Sequence, residues 1–324
     1  MATPRSPQCP SLPPELWIRI LSYNTDLTHL WTTCRQISHS FRAYTEQVFA
    51  ESVLRDTHID FQLEKYNLGG KSKRPEIPTS FSHFELGAKL HGGGRDKSVA
   101  WFKDKRKKGD VAGGAAGMAY KRVMQRWEEN VRGWKPEMPH YTIRVGSVVN
   151  DTALPNLTIN IADREIGFDW RRMFQLFFRE QQRLRILKQK WHSSTAAQIQ
   201  RNNARLAKGE KLAAADYPPP WPAAEVEIRK EVRRARLKEH YKHDEEMLWA
   251  IDSLAHFENH GAVGGSGTAF KINPDLPGAG VGEKWFGSVN LVQGLYLDEW
   301  SCMHRTDTKV EHLRGEGEYD LSVS

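Results

Sequence analysis

Leu16, Ile20 and Tyr23 recur at i, i+4 and i+7, and Leu27, Leu30, Trp31 and Cys34 continue at helical spacing, with Ile37 and Phe41 after them. This spacing predicts two or three short amphipathic helices at the N-terminus. Ser11 is a suitable N-cap, Pro13 or Pro14 suits a first turn where a missing N–H costs nothing, and Glu15 favours the positive end of the helix dipole. Asp26 can cap a second helix. A helical hairpin this short has more apolar surface than it can hide by itself. It needs the rest of the chain or a partner.

Beyond it the period changes to two. Thr57–Leu63 alternates as a strand, Phe81–Leu86 is a second strand, and Val99–Phe102 is a short apolar run. Lys103–Gly117 is basic and then Gly/Ala-rich, which predicts a loop, and Met118–Val131 returns to helical spacing. Tyr141–Val149 is β-branched and alternating, so it predicts one strand, turned by Asn150-Asp151-Thr152. Leu157–Ile161 and Arg164–Phe168 form a predicted hairpin. Asp169 then caps a helix carrying Trp170, Met173, Phe174, Phe177 and Phe178, which continues to Trp191 and weakens over 192–215.

No helix crosses Pro218-Pro219-Pro220-Trp221-Pro222. A further long helix is expected from Ala223 to Leu254, stopped by Gly261–Gly267. Strands are expected near Val289–Val292 and Leu295–Leu297, and the last ten residues should fray. The fold class is α+β: a small all-helical module over 11–55, then a mixed domain over 56–320 with long basic helices. No repeat of a solenoid or propeller period is present.

Composition narrows the function classes. Hydrophobic residues make up 39% of the 324, adequate for a core, and the 3 cysteines, Cys9, Cys34 and Cys302, are too few and too scattered for a disulfide framework. With no apolar leader and no run of 18 apolar residues, the expected compartment is cytoplasmic or nuclear, with no membrane partner. The net charge is +7, and between Arg171 and Glu245 there are 18 Lys and Arg against 9 Asp and Glu. That block is either a solvated, salt-bridged helix surface or a contact for nucleic acid or an acidic protein. Trp221, inside the proline break, is either an exposed binding anchor or a packing plug.

Catalytic chemistry finds little support. The glycine clusters at 91–98, 113–117 and 278–287 lack the spacing that aligns a lysine and backbone donors on phosphates. His240, His243, Asp244 and Glu245 suit a solvated helix face better than a metal site, and Cys302 near His304 has no visible oriented base. No cofactor, metal or enzymatic activity is expected.

Leu12-Pro13-Pro14-Glu15-Leu16, then Ile20-Leu21-Ser22-Tyr23, then Cys34-Arg35 and Phe41 resemble the F-box, in the style of F-box proteins found in fungal genomes. The resemblance covers about residues 11–55 and departs from the family pattern at Thr33 and Asn24. It implies a module that docks a Skp-type adaptor, and through it a cullin scaffold, and presents a protein target, as yet unidentified, for ubiquitylation. It also implies contact through Leu12, Pro13, Leu16, Ile20 and Leu21, with Leu30 and Trp31 supporting. The alternative is a basic nucleic-acid-associated protein that uses residues 171–245.

Overall fold

Three short polar side chains fix three helix starts. Asp26 accepts the amide of His29 at 2.9 Å, Ser38 that of Phe41 at 3.2 Å, and Asp169 that of Arg172 at 3.0 Å. The computed structural model of the chain describes residues 12–64, 75–85, 98–111, 117–260 and 281–320. Ser11 falls outside these; the cap position of the first helix is held by Pro13, in extended conformation and without a side-chain bond.

The N-terminal helices are α1 (Pro14–Ser22), α2 (Leu27–His29), α3 (Arg35–Ile37) and α4 (His39–Val48). A π-helical segment, Leu30–Cys34, joins α2 to α3, and a second, Phe49–Val53, extends α4. Such segments widen a helix locally and are short wherever they occur. Here both coincide with core anchors: Leu30, Trp31, Cys34, Phe49 and Val53 are all buried.

Next come β1 (Thr57–Gln62), β2 (Glu76–Phe84) and β3 (Val99–Lys103), the short helix α5 (Lys108–Val111), and α6 (Gly117–Arg132). Then follow β4 (Tyr141–Val145), β5 (Val148–Asn150), β6 (Thr158–Asn160) and β7 (Glu165–Asp169). These strands form a seven-stranded sheet in the order β5-β4-β1-β2-β3-β7-β6, with every neighbouring pair antiparallel. Ile59, Phe61, Ile77, Phe102, Ile143, Ile166 and Phe168 are buried in one core with the helices. The single strand expected over Tyr141–Val149 is a tight hairpin instead. Gly146 takes φ +59° between Val145 and Val148, a conformation open to glycine at little cost.

The remaining helices are α7 (Trp170–Ala207), α8 (Trp221–His240), α9 (Glu245–His260) and α10 (Val281–Asp320). Helix α7 does not weaken at Trp191; it runs 38 residues. The long helix expected from Ala223 starts at Trp221 and is two helices, because the chain turns after Tyr241 and Asp244 accepts the amide of Met247 at 3.0 Å. The strands expected between Val289 and Leu297 are also corrected: these residues lie in α10, which continues to Asp320. Val289, Val292 and Leu295 pack with Leu237, Ile251 and Leu254 as a second core between α8, α9 and α10. Residues 261–267 and 321–324 lie outside the described residues.

The sequence boundary at 55/56 falls between the end of the second π segment and β1. The two parts nevertheless share one core. Trp31 meets Phe49, Phe174 and Trp170 with ring centroids 4.6, 5.4 and 6.2 Å apart, and Phe49 meets Phe178 at 5.6 Å.

Candidate adaptor-docking face

Helix α1 lies on the module with one face in and one face out. Leu21 is buried, Trp17 and Ile18 are half-buried, and the Trp17 ring sits 5.0 Å from Phe41. Leu16, Ile20 and Tyr23, one stripe of that helix, are 46%, 49% and 73% exposed. Pro13 at the N-terminal end of the stripe is exposed, and Leu12 is half-buried. Ile37, at the end of α3, adds another exposed apolar side chain, 61% open.

Four of the seven residues expected to make the contact therefore lie at the surface or partly so: Leu12, Pro13, Leu16 and Ile20. Leu21, Leu30 and Trp31 do not. They belong to the interior, where Trp31 is 1% exposed, so they hold the module together and present no free surface. The spacing of Leu30 and Trp31 places them on a stripe but cannot say which side of the stripe faces α7. Tyr23 and Ile37 were absent from the expected set. Tyr23 was legible as the third position of the Leu16/Ile20 stripe, and Ile37 as the residue that follows Cys34 at helical spacing, though neither spacing says which side faces out.

Ion pairs fix how this module sits. Arg185 of α7 grips Asp26 with two hydrogen bonds, 2.7 and 2.8 Å long, and this bonding holds the Asp26 carboxyl below the usual carboxylate range. Glu46 of α4 accepts Arg35 at 2.7 Å and Arg171 at 2.8 Å. The Arg35 guanidinium also lies over the Trp31 ring, 4.7 Å from its centroid. The Cys34-Arg35 pair is thus structural in this chain. Cys34 is buried, which pushes its thiol up, and Arg35 pairs within the module with Glu46, which Arg171 in turn ties to α7.

The basic block divides in two. On α8 its arginines point inward rather than to solvent. Arg233 and Arg236 both bond Asp151, Arg236 also bonds Glu180 at 3.1 Å, and Arg234 bonds Glu299 at 2.9 Å. Arg229 pairs with Asp307. Burial acts to raise the Asp151 carboxyl, but the charges of Arg233 and Arg236 outweigh it and hold the group far below the carboxylate range. A small cavity, about 50 Å³, lies where these side chains meet α7 and α10. Trp221 is not an exposed anchor. It packs on α7, 5.0 Å from the Trp191 ring, beneath the Lys188 ammonium.

The remaining candidates separate. Cys302 is buried against Arg305 and Met138, while His304 stacks on the exposed Trp300, so the two do not form a dyad. Among the described residues no group of three His, Cys, Asp or Glu is placed to hold a metal, which includes His240, His243, Asp244 and Glu245. The glycine cluster at 91–98 lies outside the described residues apart from Ser98, and most of 113–117 and the first part of 278–287 do too. No helix among the described residues is long and apolar enough to cross a membrane. No protein-family model, curated protein or solved structure matches this chain.

Proposed function

We propose that the chain is an F-box-type receptor. Its α1 face docks a Skp-type adaptor, and the rest of the chain presents a protein target to a cullin-based ubiquitin ligase. The reading assigns it no catalysis of its own, and it places the work in the cytoplasm or nucleus. One observation carries it: Leu16 and Ile20, with Tyr23 at the helix C-cap, form a continuous exposed apolar stripe on a helix whose other side packs inward through buried Leu21 and half-buried Trp17 and Ile18. Water-exposed leucine and isoleucine in a row, on a helix of a module that Asp26 and Glu46 pair to α7, are what a protein interface needs at its centre. The stripe lies within the segment that resembles the F-box. The competing nucleic-acid reading loses Arg229, Arg233, Arg234 and Arg236, which are spent on internal carboxylates.

The test is Leu16→Asp with Ile20→Asp, assayed by co-purification with a Skp-type adaptor. Both side chains are exposed, so the melting temperature should stay near that of the parent. Adaptor capture should be lost, since burying one such anchor contributes about 1–4 kcal/mol. Unchanged capture by a folded double variant would end the proposal.

A further inference from the structure

Between Arg183 and Lys211 the chain has eight Lys and Arg and one acidic residue, Glu210. Arg185 is taken by Asp26, and Arg205 by Glu210 and Asp216. Arg183, Lys190, Arg201 and Lys208 are exposed and have no ion pair among the described residues. Their separations of 7, 11 and 7 return to one side of an α-helix, so they form a row about 37 Å long at 1.5 Å per residue.

This row lies outside the packed side of α7. Gln198 and Asn202 face the connection to α8, where each donates to the Asp216 carbonyl at 2.8 Å, and Trp191 faces Trp221. Between the basic positions the same side carries Ile186, 54% exposed, and the exposed small residues Ala197 and Ala204. Helical spacing thus combines regularly placed cations, one large apolar side chain and low bulk, which lets a second helix approach closely.

We infer that the distal half of α7 is a docking surface for an acidic amphipathic helix of a partner protein. Charge complementarity selects an anionic occupant. The apolar and small residues in the row favour a polypeptide over a nucleic acid, whose phosphates gain nothing from Ile186 or the alanines. That this partner is the target rests on the receptor reading above; the surface itself does not. The clamps from Asp26 to Arg185 and from Glu46 to Arg171 hold α7 against the docking module, so the occupant would be held at a fixed orientation to the α1 face.

Three fluorescent probes of equal length test this on the full chain by anisotropy: a helical peptide of Glu and Leu about 25 residues long, an all-Glu peptide, and an oligo(dT). The Glu/Leu peptide should bind tightest. Arg183→Glu with Lys190→Glu and Arg201→Glu should weaken it about tenfold or more, and Ile186→Ser about three- to fivefold. The reversal variant should still melt cooperatively, within several degrees of the parent, and keep its adaptor capture. The inference is overturned if oligo(dT) binds as tightly as the peptide with a steep salt dependence, or if Ile186→Ser changes nothing. It is also overturned if no probe binds at low salt, which would make the row a solvated face. Peptide binding by a chain that never captures an adaptor would sink the receptor reading and leave this surface standing.

Discussion

Asp151 is almost sealed from water and is the single acceptor shared by Arg233 and Arg236. Removing its charge would leave two buried guanidiniums short of a partner, and breaking a buried pair in this way costs about 3–5 kcal/mol. Asp151→Asn should therefore lower the midpoint of chemical unfolding strongly, with circular dichroism as the readout. A pH dependence follows from the same pair. The folded carboxyl is held far below its unfolded value, so its contribution is complete above about pH 4, the unfolded value. It falls away progressively as the pH drops below that. A melting-temperature profile from pH 7 to pH 3 should bend downward at the acid end in the parent, and less so in Asp151→Asn. An identical acid slope in both would show that other carboxylates dominate. None of this was legible in Asn150-Asp151-Thr152, which as bare sequence is turn chemistry. The buried role of Asp151 comes from Arg233 and Arg236, more than 80 residues away.

At the scale of elements, what the sequence made legible depends on what covers each one. Strands covered by apolar side chains, such as Thr57–Gln62, and the capped start of α7 at Asp169 stood out because alternation and capping are local signals. Helix α10 did not. Its inward side includes Asp298, Glu299, Ser301, Arg305 and Thr306, all buried, so the apolar period stops at Leu295 and leaves a short β-like run. Helix α8 was legible as a helix, but its charge was not legible as internal: its buried side carries Arg233 and its partly buried positions Arg234 and Arg236. The two basic helices can be told apart by charge reversal. Glu at Arg233, Arg234 and Arg236 would face Asp151, Glu180 and Glu299 across a buried interface, and the variant should fail to melt cooperatively. Glu at Arg183, Lys190 and Arg201 should shift stability by no more than about 1 kcal/mol per site, as at exposed positions. Equal melting temperatures for both triple variants would contradict the internal assignment of α8.

The molecule as a whole is where the sequence division at residue 55 loses its physical meaning. The resemblance to a short docking module suggests an appendage, and the strand pattern after it suggests an independent core. The structure instead places Trp31 and Phe49 among Trp170, Phe174 and Phe178, at the point where α7 leaves the sheet. Hydrophobic patterning identifies apolar faces but not which faces meet, so this shared core could not be read from the sequence. A chain of residues 56–324 would present those α7 aromatics to water and would lack both anchors. Truncating a single large buried aromatic costs about 3–5 kcal/mol, and a domain's whole stability is about 5–15 kcal/mol. Losing two, together with the Asp26 and Glu46 clamps, should exhaust it. The fragment is expected to keep helical circular dichroism yet melt without a sharp transition and bind a hydrophobic dye, whereas the full chain melts cooperatively. Supplying residues 11–55 in trans as a peptide should restore part of the transition. A fragment that melts as sharply as the full chain would mean the N-terminal helices are an appendage after all, and the rigid coupling of the α1 face to α7 would fall with that result.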